Sequence, residues 1–285
     1  YTIMAIPYLH GYLVKPASIS YEGYVTFTDG TNNITPNQQQ CEAYGYKYNN
    51  VTGTCSAFHI NNNLEQSLNN QNNKIQGSNN ATETGTNNTT IIGENNTVRG
   101  TCRNNIVSGF KNEIQNNINN NAVFGVGGDG VFDSAMIFGG NNSADRVGTR
   151  QTITLMYGGQ TTNNSTVDIY PNNETTLLKF FQPQVNRVYY FQSETLAVRV
   201  GGSSGLGDFK SWVERGVVKC NGSGTLSIDR SRTSPADSGT TTGWGPTNAV
   251  SGSNFRQTVK GATNMTIEWV STIRFMQLWT GVSLP

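Results

Sequence analysis

Asn72-Asn-Lys-Ile75-Gln-Gly77, Asn88-Thr-Thr-Ile91-Ile-Gly93, Asn104-Asn-Ile-Val107-Ser-Gly109 and Asn120-Asn-Ala-Val123-Phe-Gly125 are one phrase written four times, sixteen residues apart. Three positions after the first three glycines the chain repeats Asn80, Asn96 and Asn112. A polar tract of biased composition has no reason to hold phase across four columns, so the repeat is structural. Each unit also contains a half-unit echo, as in Asn95-Asn96-Thr-Val-Arg-Gly100 after Gly93. The half-unit reads as a short strand with one inward aliphatic residue, closed by a turn of Asn or Gly, the residues that tolerate positive φ. Two strands and two turns make one coil of a parallel β-roll. Coils stacked about 4.8 Å apart bring identical side chains into columns. Asn72, Asn88, Asn104 and Asn120 are therefore expected to form a hydrogen-bonded ladder, Ile75, Ile91, Val107 and Val123 a core stripe, and Gly77, Gly93, Gly109 and Gly125 the turns.

Composition agrees with that pattern. Of 37 asparagines, 23 lie between Asn61 and Asn142, while charged residues make up only 13% and the net charge is +1. No basic run would release counterions from a polyanion, which argues against a nucleic-acid partner. No segment reaches the roughly 20 apolar residues of a membrane span, and Tyr1–Val14, broken by Pro7, His10 and Gly11, makes a poor signal peptide. One Ile or Val per half-coil contributes about 1.5–3 kcal/mol, against about 1–2 kcal/mol of backbone entropy for every ordered residue. So thin a roll is expected to bury its stripe against copies of itself, as a homotrimer.

The chain divides into three blocks: residues 1–60, 61–165 and 166–285. The first is tyrosine-rich, and Cys41 and Cys55 flank a segment read as a hairpin turning at Lys47-Tyr-Asn-Asn50, leaving them either disulfide-bonded or two buried thiols. By position it is assigned to attachment to a particle. The last alternates short strands with Gly/Ser/Thr turns, as in Arg187-Val-Tyr-Tyr-Phe191 and Thr195-Leu-Ala-Val-Arg-Val200, which is the pattern of an antiparallel, jelly-roll-like sandwich. The fold class is all-β.

The coils resemble the left-handed β-roll heads of trimeric autotransporter adhesins, whose shorter repeats also run Asn-x-x-Val/Ile-x-Gly. Rolls of this kind are common in bacteriophage fibres and spikes. The resemblance spans about residues 70–160, with Phe138-Gly139-Gly140 and Tyr157-Gly158-Gly159 as looser late coils. The C-terminal block resembles a module of phage tail and fibre proteins through Trp212, Arg215-Gly-Val-Val-Lys219, Thr242-Gly-Trp244, Val259-Lys-Gly261 and Ile267-Glu-Trp-Val-Ser-Thr-Ile-Arg274. These resemblances imply a virion structural protein, a trimeric fibre, spike or capsid decoration protein on the particle surface. Its partners would be other virion proteins through the N-terminal block and a host glycan or protein at a receptor-binding surface that no residue identifies.

Chemistry was weighed against that reading. His10 and His59 are the only histidines, and isolated histidines are usually structural. Glu94 and Glu113 sit on adjacent coils, where spikes that cleave polysaccharide carry paired carboxylates, but motif-free carboxylates are mostly solvated surface and the roll looks too slender for a groove. Asp129 and Asp133 lie in Gly127-Gly-Asp-Gly-Val-Phe-Asp133, similar to a calcium-binding nonapeptide, yet it occurs once and off register. Trp212, Trp244 and Tyr157 could stack on sugars, though large aromatics more often belong to a core. The expectation is a chain without enzymatic role, cofactor or metal. The alternatives are a polysaccharide-degrading tail spike and a bacterial surface adhesin, which would carry an anchor or coiled-coil stalk; an ice-binding solenoid fails because Thr82, Thr84, Thr89, Thr90 and Thr97 share no register.

Overall fold

The computed structural model describes residues 14–20, 23–57, 72–142, 144–171, 180–203 and 205–285; His10 and His59 lie outside them. The chain forms two compact units, Tyr1–Leu68 and Asn69–Pro285.

The first unit holds strands β1 (Lys15–Ile19), β2 (Val25–Thr28) and β3 (Asn33–Ile34), helix α1 (Gln38–Ala43), and the hairpin β4 (Lys47–Asn49) and β5 (Thr54–Ser56). Phe27, Cys41 and Cys55 are its core. Cys41 and Cys55 form a disulfide with Cα atoms 5.7 Å apart. Cys41 sits on α1, whose capping box joins Asn37 and Gln40, so the hairpin is shorter than the sequence reading made it. Its turn falls at residues 50–53, where Asn49 Oδ1 accepts the Val51 N–H at 2.9 Å and Gly53 supplies φ 68°.

The second unit opens with the coils. Their longer strands are β6 (Lys74–Ser78), β8 (Thr90–Glu94), β10 (Ile106–Phe110), β12 (Ala122–Val126) and β14 (Ala135–Gly140), all parallel. The intervening two-residue strands β7 (Ala81–Thr82), β9 (Thr97–Val98), β11 (Glu113–Ile114) and β13 (Asp129–Gly130) form a second parallel sheet. Bridges Asn87–Arg103–Asn119 mark a third side, one more than the two-sided roll expected from the sequence. The four glycines stack with φ between 90° and 129°, and a Cβ on any of them would run into the next strand's glycine carbonyl. No other residue fits that column.

The third side gives the coil an interior. Ile91, Val107 and Val123 meet Val98, Ile114 and Cys102 there, all 0% exposed within the single chain. Ile91, Val107 and Val123 of the stripe are buried by the chain's own coils, not against copies of itself as the sequence led one to expect, and Ile75 is half-buried.

Parallel stacking ends at β14. Strand β15 (Arg150–Thr161) returns antiparallel to it, so Tyr157-Gly158-Gly159 is not a coil. After β16 (Thr166–Ile169), the long strands β17 (Arg187–Gly202), β18 (Phe209–Cys220) and β19 (Leu226–Ser238) form a meander. The chain closes with β20 (Gly245–Ser251), β21 (Asn254–Lys260) and β22 (Met265–Trp279), β22 lying between β15 and β17. One ten-stranded sheet thus runs from the coils into the C-terminal strands, and β16, β21 and β20 form a separate antiparallel sheet. Phe181, Phe191, Phe255 and Phe275 pack between the two, with the Phe181 and Phe275 rings stacked at 4.3 Å. Among the described residues, no helix is long and apolar enough to cross a membrane.

Candidate functional site

Two strings of polar side chains run up the short-strand face of the coils. Glu83 and Glu113 flank Arg99, which donates to them at 3.1 and 2.6 Å. Gln115, in line with Arg99, donates to Asp129 Oδ1 at 2.9 Å. The period that stacks the core also stacks these groups: Glu113 on β11 is the register partner of Asp129 on β13.

Asp129 is held from several sides. Its N–H donates to Gln151 Oε1 at 2.7 Å, and Gln151 is bonded in turn to Gln277. Residues 144–149 fold over it, anchored by Gly148 N–H to Gly127 O at 2.8 Å. Gly148 has φ 73°, and a Cβ there would lie 2.8 Å from the Asp129 Cβ, so only glycine allows this approach. Arg187, at the start of β17, reaches to 3.6 Å from Asp129 Oδ2. The Trp279 ring, at the end of β22, holds the guanidinium of Arg187 at 5.8 Å and that of Arg146 at 5.0 Å. Burial pushes the Asp129 carboxyl up, and the charge of Glu113 adds to that, against the lowering influence of Gln115 and Arg187.

Between these walls lies a solvent-open groove of about 460 Å³, lined by Lys111, Glu113, Gln115 and Asp129 of the coils, residues 144–147, Arg187 and Trp279. That volume suits a small ligand or a short stretch of polymer. A buried carboxyl whose proton is held more tightly than usual, beside a second carboxyl group, is an arrangement that can separate an acid from a base or nucleophile.

The residues singled out from the sequence fall elsewhere or pair differently. Glu94 is exposed in the long-strand sheet beside Ser78 and Phe110, and the carboxyl in register with Glu113 is that of Asp129. Asp133 accepts the Asn119 N–H at 2.8 Å, away from the Asp129 partners. Among the described residues no three His, Cys, Asp or Glu side chains are placed to hold a metal, and Asp129 already engages an amide and a guanidinium. Trp212, Trp244 and Tyr157 are buried, Trp212 stacking on Trp269 at 5.7 Å. Asn88 donates to Asn104 at 2.6 Å and Asn104 to Asn120 at 3.1 Å on the exposed turn, where Asn72 also lies, all four with positive φ. The asparagine ladder inside the coils is a different one, Asn80, Asn96 and Asn112. Arg187, Trp279, Arg146 and Gln115 carried no sequence signal for this site.

No protein-family model and no curated protein matches the sequence. Two solved structures are similar in part: the tailspike protein of Acinetobacter baumannii phage AM24 (TM-score 0.30, 10% identity) and tailspike protein gp49 of Acinetobacter baumannii bacteriophage Fri1, a capsular polysaccharide depolymerase (TM-score 0.29, 7% identity). Each match covers 74% of this chain and 50% or 48% of the tailspike, so the chain spans about half their length. One expectation is overturned here. The sequence leads to the expectation of no enzymatic role, yet one of these tailspikes is a capsular polysaccharide depolymerase. The slenderness that argued against a groove does not hold either, because the loop, Arg187 and Trp279 build one against the last coils.

Proposed function

We propose that the chain belongs to a trimeric tail appendage of a bacteriophage, and that it grips and cleaves a host-surface polysaccharide in the groove beside its last coils. The observation that carries this reading is the register pair Glu113 and Asp129, two carboxyl groups of different environment in a groove of fitting size. Asp129, as the carboxylic acid, gives its proton to the glycosidic oxygen as the bond to the anomeric carbon breaks. Glu113, oriented by Arg99, attacks that carbon and forms a glycosyl ester. Water, deprotonated by the Asp129 carboxylate, then releases the sugar and restores both groups.

The outer face of the ten-stranded sheet supports a trimer. Ile92, Ser108, Phe124, Phe138, Thr152, Met276, Tyr190 and Val217 lie on one face along successive register pairs, with Met136 and Leu278 beside them. Ile92, Phe138, Met276 and Leu278 are each 45–50% exposed. An exposed apolar band of this kind, broken only by Ser108 and Thr152, marks an association surface. Surface placement on the virion, with residues 1–60 facing other virion proteins, completes the reading.

Release of reducing ends from purified bacterial capsular polysaccharides tests it, with Asp129→Asn and Glu113→Gln as variants. Wild-type cleavage reduced about 10²–10⁴-fold in each variant is the expected result. Cleavage that survives both substitutions would place the chemistry elsewhere.

A further inference from the structure

We infer that the groove is built for an acidic sugar, whose carboxylate is taken by the guanidinium groups of Arg187 and Arg146. This rests on the glycan reading above and narrows it to a substrate class.

The charges lining the groove are not matched among themselves. Glu113 is engaged by Arg99 at 2.6 Å and Asp145 by Arg150 at 2.6 Å, and neither of those arginines belongs to the lining. The lining cations are Lys111, Arg146 and Arg187. Lys111 donates to the Asp145 backbone carbonyl at 3.1 Å and its charge acts on the Asp145 carboxylate, so it is set apart from the two arginines. Arg146 is exposed and stacks on Trp279, and among the described residues no carboxylate lies within ion-pair distance of it.

Arg187 is the more telling group. Its side chain is 12% exposed, and its approach to Asp129 at 3.6 Å is longer than a hydrogen bond. Its Nη1 is buried and has no hydrogen-bond partner. The part of the side chain that stays exposed lines the groove, where an arriving carboxylate would be a closer charge-assisted partner than Asp129. Burial also holds Asp129 toward its neutral form, so Asp129 is an incomplete counter-charge for Arg187. Both guanidinium groups lie over the Trp279 ring, which gathers them beside the groove. A planar carboxylate suits a pair of planar forks better than a hydroxyl does.

The test is binding of D-glucuronate and D-glucose by ligand-observed NMR, on wild-type protein, Arg187→Gln and Arg146→Gln. Glucuronate should bind at least about tenfold more tightly than glucose, weaken with salt, and lose that advantage in either variant. Arg146 lies on an exposed loop, so its variant reads the contact even if Arg187→Gln folds poorly. Equal binding of the two sugars, or binding of neither, overturns the assignment. Polysaccharide cleavage that depends on Asp129, without any acidic preference, would sink this assignment alone and leave the parent proposal standing.

Discussion

Asp129 carries most of what is specific to this molecule. A carboxyl that is 5% exposed, and raised by burial and a neighbouring charge, costs stability when it ionises. Its ordinary value is 3.8, and below that both folded and unfolded chains hold the proton. Above it the unfolded chain ionises first, so native stability falls as pH rises through the window up to the raised value. Asparagine at this position does not titrate. The melting temperature of Asp129→Asn relative to wild type should therefore climb as pH rises above about 4, even as activity is lost. A difference that stays flat with pH would make Asp129 an ordinary salt-bridge partner of Arg187.

The coil is where sequence and structure correspond most closely. Parallel stacking converts a spacing along the chain into a neighbour in space, so Ile91 over Val107 and Gly93 over Gly109 could be read directly from the sixteen-residue period. The same arithmetic pairs Glu113 with Asp129, and was missed because Glu94 looked like a coil neighbour although it lies in the other sheet. What the period cannot say is which asparagine column turns inward, since that depends on the third side of the coil. Asn96 is 0% exposed; its Oδ1 accepts the Asn112 N–H and side chain, each at 3.0 Å, and its Nδ2 donates to Gly109 O at 2.9 Å. Asn104 is exposed on a turn with φ 57°. Asn96→Ala should cost roughly 2–4 kcal/mol by leaving buried partners unpaired. Asn104→Gly, which keeps the backbone conformation, should cost under about 1 kcal/mol. Chemical denaturation of both variants separates the two columns, and equal costs would contradict the assignment of inner and outer ladders.

For the whole molecule, long-range topology decides the rest. Arg187 and Trp279 reach the groove because β17 and β22 join the sheet that the coils began, a connection no local pattern encodes. The apolar band across that sheet predicts assembly, so light scattering should give a native mass about three times 31.0 kDa. A monomer would leave the band without its proposed partner. The central claim, that carboxyl groups on neighbouring coils act together on a glycosidic bond, is tested most directly by the stereochemistry of cleavage. A glycosyl ester on Glu113 inverts the anomeric carbon once, and attack of water inverts it again, so the pair predicts net retention. A proton NMR time course of polysaccharide cleavage should show the newly released sugar with the anomeric configuration it had in the polymer. Release of the opposite anomer would contradict the Glu113–Asp129 pair as the nucleophile and acid.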